Sequence, residues 1–176
     1  LVALRILTLI LSLFLVAAST AQQPIDEEFV IGAGDVISFD VYNEKDLFVR
    51  ARVSSSGDVR IPLIGNINVL HKTTKQISKE VEAALLDGYL VEPHVLVSIE
   101  KFRPIFVKGA VKLPGAYDFQ LNLTVNQAIA IAGGLRDRAS SSDWFISRGA
   151  KTEKKKVKAD HILQPGDVLH IKESIF

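Results

Sequence analysis

Cysteine is absent from all 176 residues, which excludes disulfides, thiolate nucleophiles and cysteine-ligated metals. Neither sign of charge dominates: 21 Lys and Arg against 20 Asp and Glu leave a formal +1, so nucleic-acid binding has no global electrostatic support. Catalytic signatures are missing as well. The chain holds no G-x-S-x-G elbow, no P-loop and no Rossmann fingerprint. Its four histidines, His71, His94, His161 and His170, follow no metal-ligand spacing and read as surface or strand residues. No catalytic residue, cofactor-binding residue or metal ligand is therefore assigned, and no cofactor is expected.

Long apolar runs are scarce too. One occurs, Ile6–Val16, preceded by Arg5 and followed by the small residues Ser19 and Ala21. That is the pattern of a secretory signal peptide over residues 1–21, with cleavage after Ala21. The competing reading is a retained anchor, for which the run is short against the roughly twenty residues of a spanning helix. Methionine is absent and the sequence opens at Leu1, so a non-standard start codon or a start upstream is expected. Losing residues 1–21 removes Arg5 and takes the balance from +1 to about zero, leaving 155 of the 176 residues, enough for two small domains.

What is present is turn chemistry. Gly34-Asp35-Val36-Ile37 and Gly166-Asp167-Val168-Leu169 are one turn-to-strand device used twice, each aspartate placed to accept backbone N–H groups in its turn. After the first copy Ile37, Phe39 and Val41 alternate with polar residues, as in a half-buried strand. Read as enzyme residues, Asp35 and Asp167 would be a glycosidase acid and base, which need carboxylates about 5 to 10 Å apart; the turn reading is preferred.

Residues 49–53 and 59–64 flank Ser54–Asp58, which contains Gly57, and predict a hairpin with Pro62 at a strand end or edge. Thr73 and Gln76 predict a capping box opening a helix with the stripe Ile77, Val81, Ala84, Leu85 and Tyr89, closed by Gly88. A strand over residues 94–100 follows, and a domain boundary is placed near Arg103-Pro104.

The stretch from Ile105 to Leu135 is the most informative. Two β runs are expected to meet in a type II turn at Pro114-Gly115. Thr124 and Gln127 predict a second capping box, on a helix that buries Val125, Ala128, Ile129 and Ala132 and stops at Gly133-Gly134. Arg136–Ser142 reads as a polar loop and residues 144–146 as a strand. Lys151, Lys154, Lys155, Lys156 and Lys158 form the one dense charge run. Such runs are mostly solvated hairpin faces; the alternative is contact with an acidic glycan through Lys154, Lys155 and Lys156.

Val107-x-Gly109-x-Val111-x-x-Pro114-Gly115-x-Tyr117, with Thr124-x-x-x-Ala128-Ile129-x-x-Ala132-Gly133-Gly134, resembles the soluble-ligand-binding β-grasp (SLBB) repeat of bacterial polysaccharide export proteins. Val53-x-x-x-Gly57-x-x-x-Ile61-Pro62-Leu63-Ile64-Gly65 resembles the signature of their export domain. Two departures stand out: Leu70-His71-Lys72 replaces a glycine common before the first helix, and no cysteine follows the leader to carry a lipid.

The resemblance implies an α+β chain, with a signal peptide over residues 1–21, an export domain over 22–103 and an SLBB domain over 104–176. It implies a non-enzymatic component of a capsular or exopolysaccharide export channel, assembled as a homo-oligomeric ring in the periplasm. The implied partners are the polysaccharide and an inner-membrane polymerisation and export protein. The alternative is a monomeric periplasmic module binding a soluble ligand or glycan. Because only residues 172–176 follow the last expected strand, a ring component docking to separate membrane proteins is expected, without a membrane helix of its own. The residues carried over are scaffold residues: Gly34, Asp35, Gly57, Pro62, Gly65, Gly109, Pro114, Gly115, Gly133, Gly134, Gly166 and Asp167.

Overall fold

The computed structural model describes residues 29–149 and 153–174. The leader expected over residues 1–21, residues 22–28 after it and Lys151 lie outside these residues. Two hydrophobic cores form in succession along the chain, one built around Phe39, Ile77 and Leu85, the other around Ile105, Leu169 and Ile171.

In the first unit, β1 (Val36–Val41) sends Ile37, Phe39 and Val41 into the core and leaves Asp40 in solvent, as the alternation requires. A 3-10 turn over Lys45–Leu47 leads to β2 (Val49–Arg52), antiparallel to β1. The hairpin expected across Ser54–Asp58 does not form. Instead β3 (Asp58–Ile61) pairs with β4 (Gly65–Asn68) in a separate two-stranded sheet. Local bonding explains the difference. Val53 is held on the first Gly-Asp turn by hydrogen bonds with Gly34 and Asp35, while Gly57 packs under Leu70 and accepts the Val69 N–H. The chain is thereby delivered to β4 rather than back along β2. Pro62, Leu63 and Ile64 make the turn of the true hairpin, with Leu63 at φ 69° and Gly65 at φ 81°.

The helix α1 (Thr74–Leu86) carries the expected capping box: Gln76 N–H donates to Thr73 Oγ1 at 3.2 Å, and Thr73 N–H to Gln76 Oε1 at 2.9 Å. Ile77, Val81 and Leu85 are wholly buried, each contributing about 1.5 to 3 kcal/mol of transfer free energy. Tyr89 does not extend the stripe. Gly88, at φ 88°, turns the chain off the helix first and leaves the Tyr89 ring exposed. β5 (Val95–Lys101) then completes the three-stranded sheet β2-β1-β5.

The second unit contains β6 (Ile105–Gly109), β7 (Gly115–Tyr117), α2 (Val125–Ile131), β8 (Ala139–Ser147), β9 (Lys155–Val157) and β10 (Val168–Glu173). The sheet order is β7-β6-β10-β8-β9, with its first and last strands, β6 and β10, parallel at the centre and the other pairs antiparallel. This is a β-grasp sheet, and α2 closes one face with Val125, Ala128 and Ile129 buried. The second capping box is formed as expected, between Thr124 and Gln127.

Two expectations in this unit need correction. β6 and β7 do form a hairpin, yet no type II turn lies at Pro114-Gly115: Gly115 has no positive φ and already belongs to β7. The connection is Ala110–Pro114, drawn aside to the end of α2, where Lys112 N–H donates to Gly134 O and Leu113 N–H to Ala132 O. Carbonyls at a helix C-terminus need such partners, and the loop supplies them. Gly109, at φ 91°, makes this exit possible; a Cβ there would run into the Ile171 carbonyl. Second, β8 starts at Ala139, inside the segment expected as a loop. Ser140 Oγ accepts the Asp143 N–H at 3.0 Å and Trp144 Nε1 donates to Ser140 O at 2.8 Å, bonds that absorb an irregularity in a long strand.

Candidate functional site

The repeated Gly-Asp device is the most highly organised polar feature of the molecule. Asp35 and Asp167 are both at 0% exposure. Each carboxylate accepts the N–H of the residue three positions back, from Gly32 and from Gln164, both at 2.8 Å. Gly34 at φ 95° and Gly166 at φ 83° close the two turns.

Each carboxylate is also matched by an arginine. Arg103 donates to Asp35 from its backbone at 2.6 Å and from Nη1 at 2.7 Å. Arg148 grips Asp167 with Nε at 2.7 Å and Nη2 at 2.9 Å, and this bond raises the arginine's own pKa against the opposing effect of burial. Such charge-assisted contacts are what allow an aspartate to be buried at all. With no exposure and three donors apiece, neither carboxylate is placed to meet a glycosidic bond. Sequence reasoning placed both aspartates in turns and missed both arginines, because Arg103 lies 68 residues from Asp35 and no local pattern announces the pairing.

Arg103 does more than neutralise Asp35. Its side chain lies between the two turns: a Cβ on Gly166 would come within 2.8 Å of Arg103 Nε, and one on Gly32 would meet the guanidinium. Beside it the rings of Phe29, Phe102 and Phe119 form a cluster with centroids 4.9 to 6.2 Å apart. Phe29 precedes the first core in sequence yet packs on the second. The junction between the units is thus a buried ion pair flanked by aromatic rings.

The remaining motif residues occupy turns and element ends. Gly57 lies under Leu70, Pro62 and Gly65 bound the β3–β4 hairpin, Gly109 ends β6, Pro114 and Gly115 open β7, and Gly133 and Gly134 follow α2. The lysine run is not one patch. Lys154 precedes β9, and within β9 Lys155 is opposite Ile146 on the core side of the sheet whereas Lys156 is opposite Phe145 on the outer side, where it pairs with Asp143 at 2.6 Å.

A groove of about 980 Å³ lies on the first unit between Tyr42, Phe48, Asp40, Glu82, His94 and Leu96. Among the described residues no group of three His, Cys, Asp or Glu could hold a metal ion. Nor is any helix among them long and apolar enough to cross a membrane.

Comparison with known proteins divides the chain in the same order. Residues 23–100 match the family described as "Polysaccharide biosynthesis/export protein", and residues 104–158 match the SLBB domain. The chain is 34% identical over 95 residues to the exopolysaccharide production protein ExoF of Rhizobium meliloti, covering 53% of this chain and 22% of that protein. It is 22% identical over 179 aligned positions to the EPS I polysaccharide export outer membrane protein EpsA of Ralstonia nicotianae, covering 81% and 47%. EpsA of Ralstonia solanacearum is 24% identical, with 80% and 47% covered. The chain therefore spans less than half the length of each of these relatives.

Proposed function

We propose that this chain is a polysaccharide export protein, as its two successive domain matches support, and that it conveys capsular or exopolysaccharide across the cell envelope as a subunit of a homo-oligomeric ring. In this reading residues 22–103 are the export domain, residues 104–176 the SLBB domain and residues 1–21 a leader removed on secretion. The ring stands in the periplasm, associated with the outer membrane or an envelope export complex. It receives glycan from an inner-membrane polymerisation and export protein. Its action is guidance without bond-breaking, and nucleic acid is not a partner.

The observation that supports this reading best is the succession of an export-domain match and an SLBB match over two cores built in the same order. The motif residues act as scaffold, with Gly34, Asp35, Gly166 and Asp167 holding the start of a strand in each unit. Of the lysines expected to contact glycan, Lys154 and Lys156 are the candidates, because strand register turns Lys155 to the opposite side of β9.

The test is genetic and physical together. Deleting the gene should abolish release of polysaccharide while intracellular synthesis of its repeat units continues, and complementation should restore it. Native mass measurement should give a closed multiple of the subunit, since a heterologous interface that closes on itself makes a ring. Unchanged export after deletion would overturn the reading; a strict monomer would favour the binding-module alternative.

A further inference from the structure

The face of the β-grasp sheet turned away from α2 is not an ordinary solvated surface. Cross-strand register sets Lys108, His170, Phe145 and Lys156 in one continuous row across β6, β10, β8 and β9. Two residues further along the same face of β10, Lys172 lies over the Phe145 ring at 4.7 Å from its centroid. Two residues back along β6, Phe106 is 45% exposed. A spacing of two residues in a strand is roughly 6 to 7 Å, so cation and aromatic alternate at about the dimension of one sugar ring.

Charge on this face is one-sided. Asp143 is the carboxylate that Lys156 and Lys172 share, and Lys156 already holds it at 2.6 Å. Among the described residues no ion pair is formed by Lys108 or Lys172. At the centre of the row burial first, and then the neighbouring Lys154, Lys108 and Lys172, push the His170 pKa down. Lys155, despite its place in the densest lysine run, is on the opposite side of β9 and takes no part.

We propose that this outer sheet face binds an anionic saccharide, with Lys108 and Lys172 meeting its carboxylates and Phe106 taking the apolar face of a sugar ring. Charge complementarity selects the class: cations that form no ion pair among the described residues attract a polyanion, and a neutral glycan would gain only the ring contact. The inference rests on the export reading and narrows its cargo to uronate-bearing or otherwise carboxylated polymers.

The experiment titrates the full chain with decagalacturonate, with maltodecaose as a neutral probe of equal length and with phosphatidylglycerol vesicles as a competing polyanion. Decagalacturonate should bind with an affinity that falls as salt rises, and maltodecaose should bind far more weakly. The pair Lys108→Gln and Lys172→Gln should weaken decagalacturonate binding about tenfold or more. Phe106→Ala should weaken it less, and Lys155→Gln should leave it within about twofold of the parent. Bound decagalacturonate should also raise the His170 pKa, followed by NMR. Equal binding of maltodecaose, equal loss with Lys155→Gln, or capture of vesicles in place of decagalacturonate would each overturn the proposal. Failure here alongside lost export in the deletion strain would sink this face and leave the export reading standing; unchanged export would remove the export reading itself.

Discussion

Arg103 and Asp35 are 68 residues apart in sequence and 2.7 Å apart in space, and the same arginine packs against the turn that carries Asp167's neighbour Gly166. One side chain at the junction therefore touches both copies of the repeated turn. The units need not have been linked this way: a flexible connection would have left Asp35 either exposed or unpaired.

Arg103→Ala should leave a buried carboxylate with its two backbone donors and no counter-charge. Breaking a buried pair from one side costs about 3 to 5 kcal/mol, and the 27% exposure of Arg103 puts this case at the lower end. It should also let the two cores melt separately. Trp144, the sole tryptophan and part of the second core, reports that unit alone by fluorescence, while circular dichroism reports both. Divergent melting curves in Arg103→Ala, coincident in the parent, are expected; coincident curves in both would show that Arg103 does not couple the units.

Gly109 and Gly134 separate two costs that a positive φ can conceal. A side-chain carbon added at Gly134 would meet nothing within 4 Å, so Gly134→Ala should cost only backbone strain, about 1 to 2 kcal/mol. In Gly109→Ala the same strain is joined by collision with the Ile171 carbonyl, which belongs to a strand and cannot yield. Urea unfolding should therefore show a clearly larger loss for Gly109→Ala. Equal losses would mean that β6 and β10 are not held as closely as described.

The capping boxes should behave alike despite their different cores. Thr73→Ala and Thr124→Ala each remove an N-cap acceptor and should each cost about 1 kcal/mol, while Thr→Ser at either site should cost little. A neutral Thr124→Ala would argue that the backbone bonds Val125 N–H to His161 O and Asn126 N–H to Ala159 O carry that helix start instead.

His170 gives a pH dependence with a definite sign. Its folded pKa is lowered from the ordinary 6.5, first by burial and then by Lys154, Lys108 and Lys172, with Lys156 and its partner Asp143 across the neighbouring strands. The unfolded chain then binds the extra proton more readily, so this contribution to stability is full above pH 6.5 and is lost as pH falls through the lower folded value. His170→Gln should flatten the fall in stability below pH 6.5 relative to the parent. Parallel profiles for the two proteins would remove His170 as a source of the slope.

Legibility in the sequence followed the range of the interactions. Both capping boxes, the Val125–Ala132 face and the repeated Gly-Asp turns were readable because their partners lie within about four residues. Strand pairing was not. Ser54–Asp58 has good hairpin chemistry, yet Gly57 answers to Leu70 and Val69, which no window around the turn contains. Pro114-Gly115 misled for the same reason, since residues 110–113 are committed to the end of α2. The lysine run illustrates the limit for sites: composition finds the charge, but only strand register separates Lys155 from Lys156 and joins the latter to Lys108 and His170.

The parallel pairing of β6 with β10 sets an order on how the chain folds as it emerges N-terminus first. The centre of the second sheet is its last strand, so β6, β7, β8 and β9 emerge without the element that joins them, and β6 and β8 each wait with an edge open. Closing so long a loop is slow, and unpaired edges invite pairing with other chains meanwhile. The turn that precedes β10 also carries Gly166, against which Arg103 packs, so the junction to the first unit is completed in the same late step. Chains truncated before Val168 should therefore hold a folded first core and an unfinished second one, a state that exposes hydrophobic strands to chaperones until the last strand is supplied.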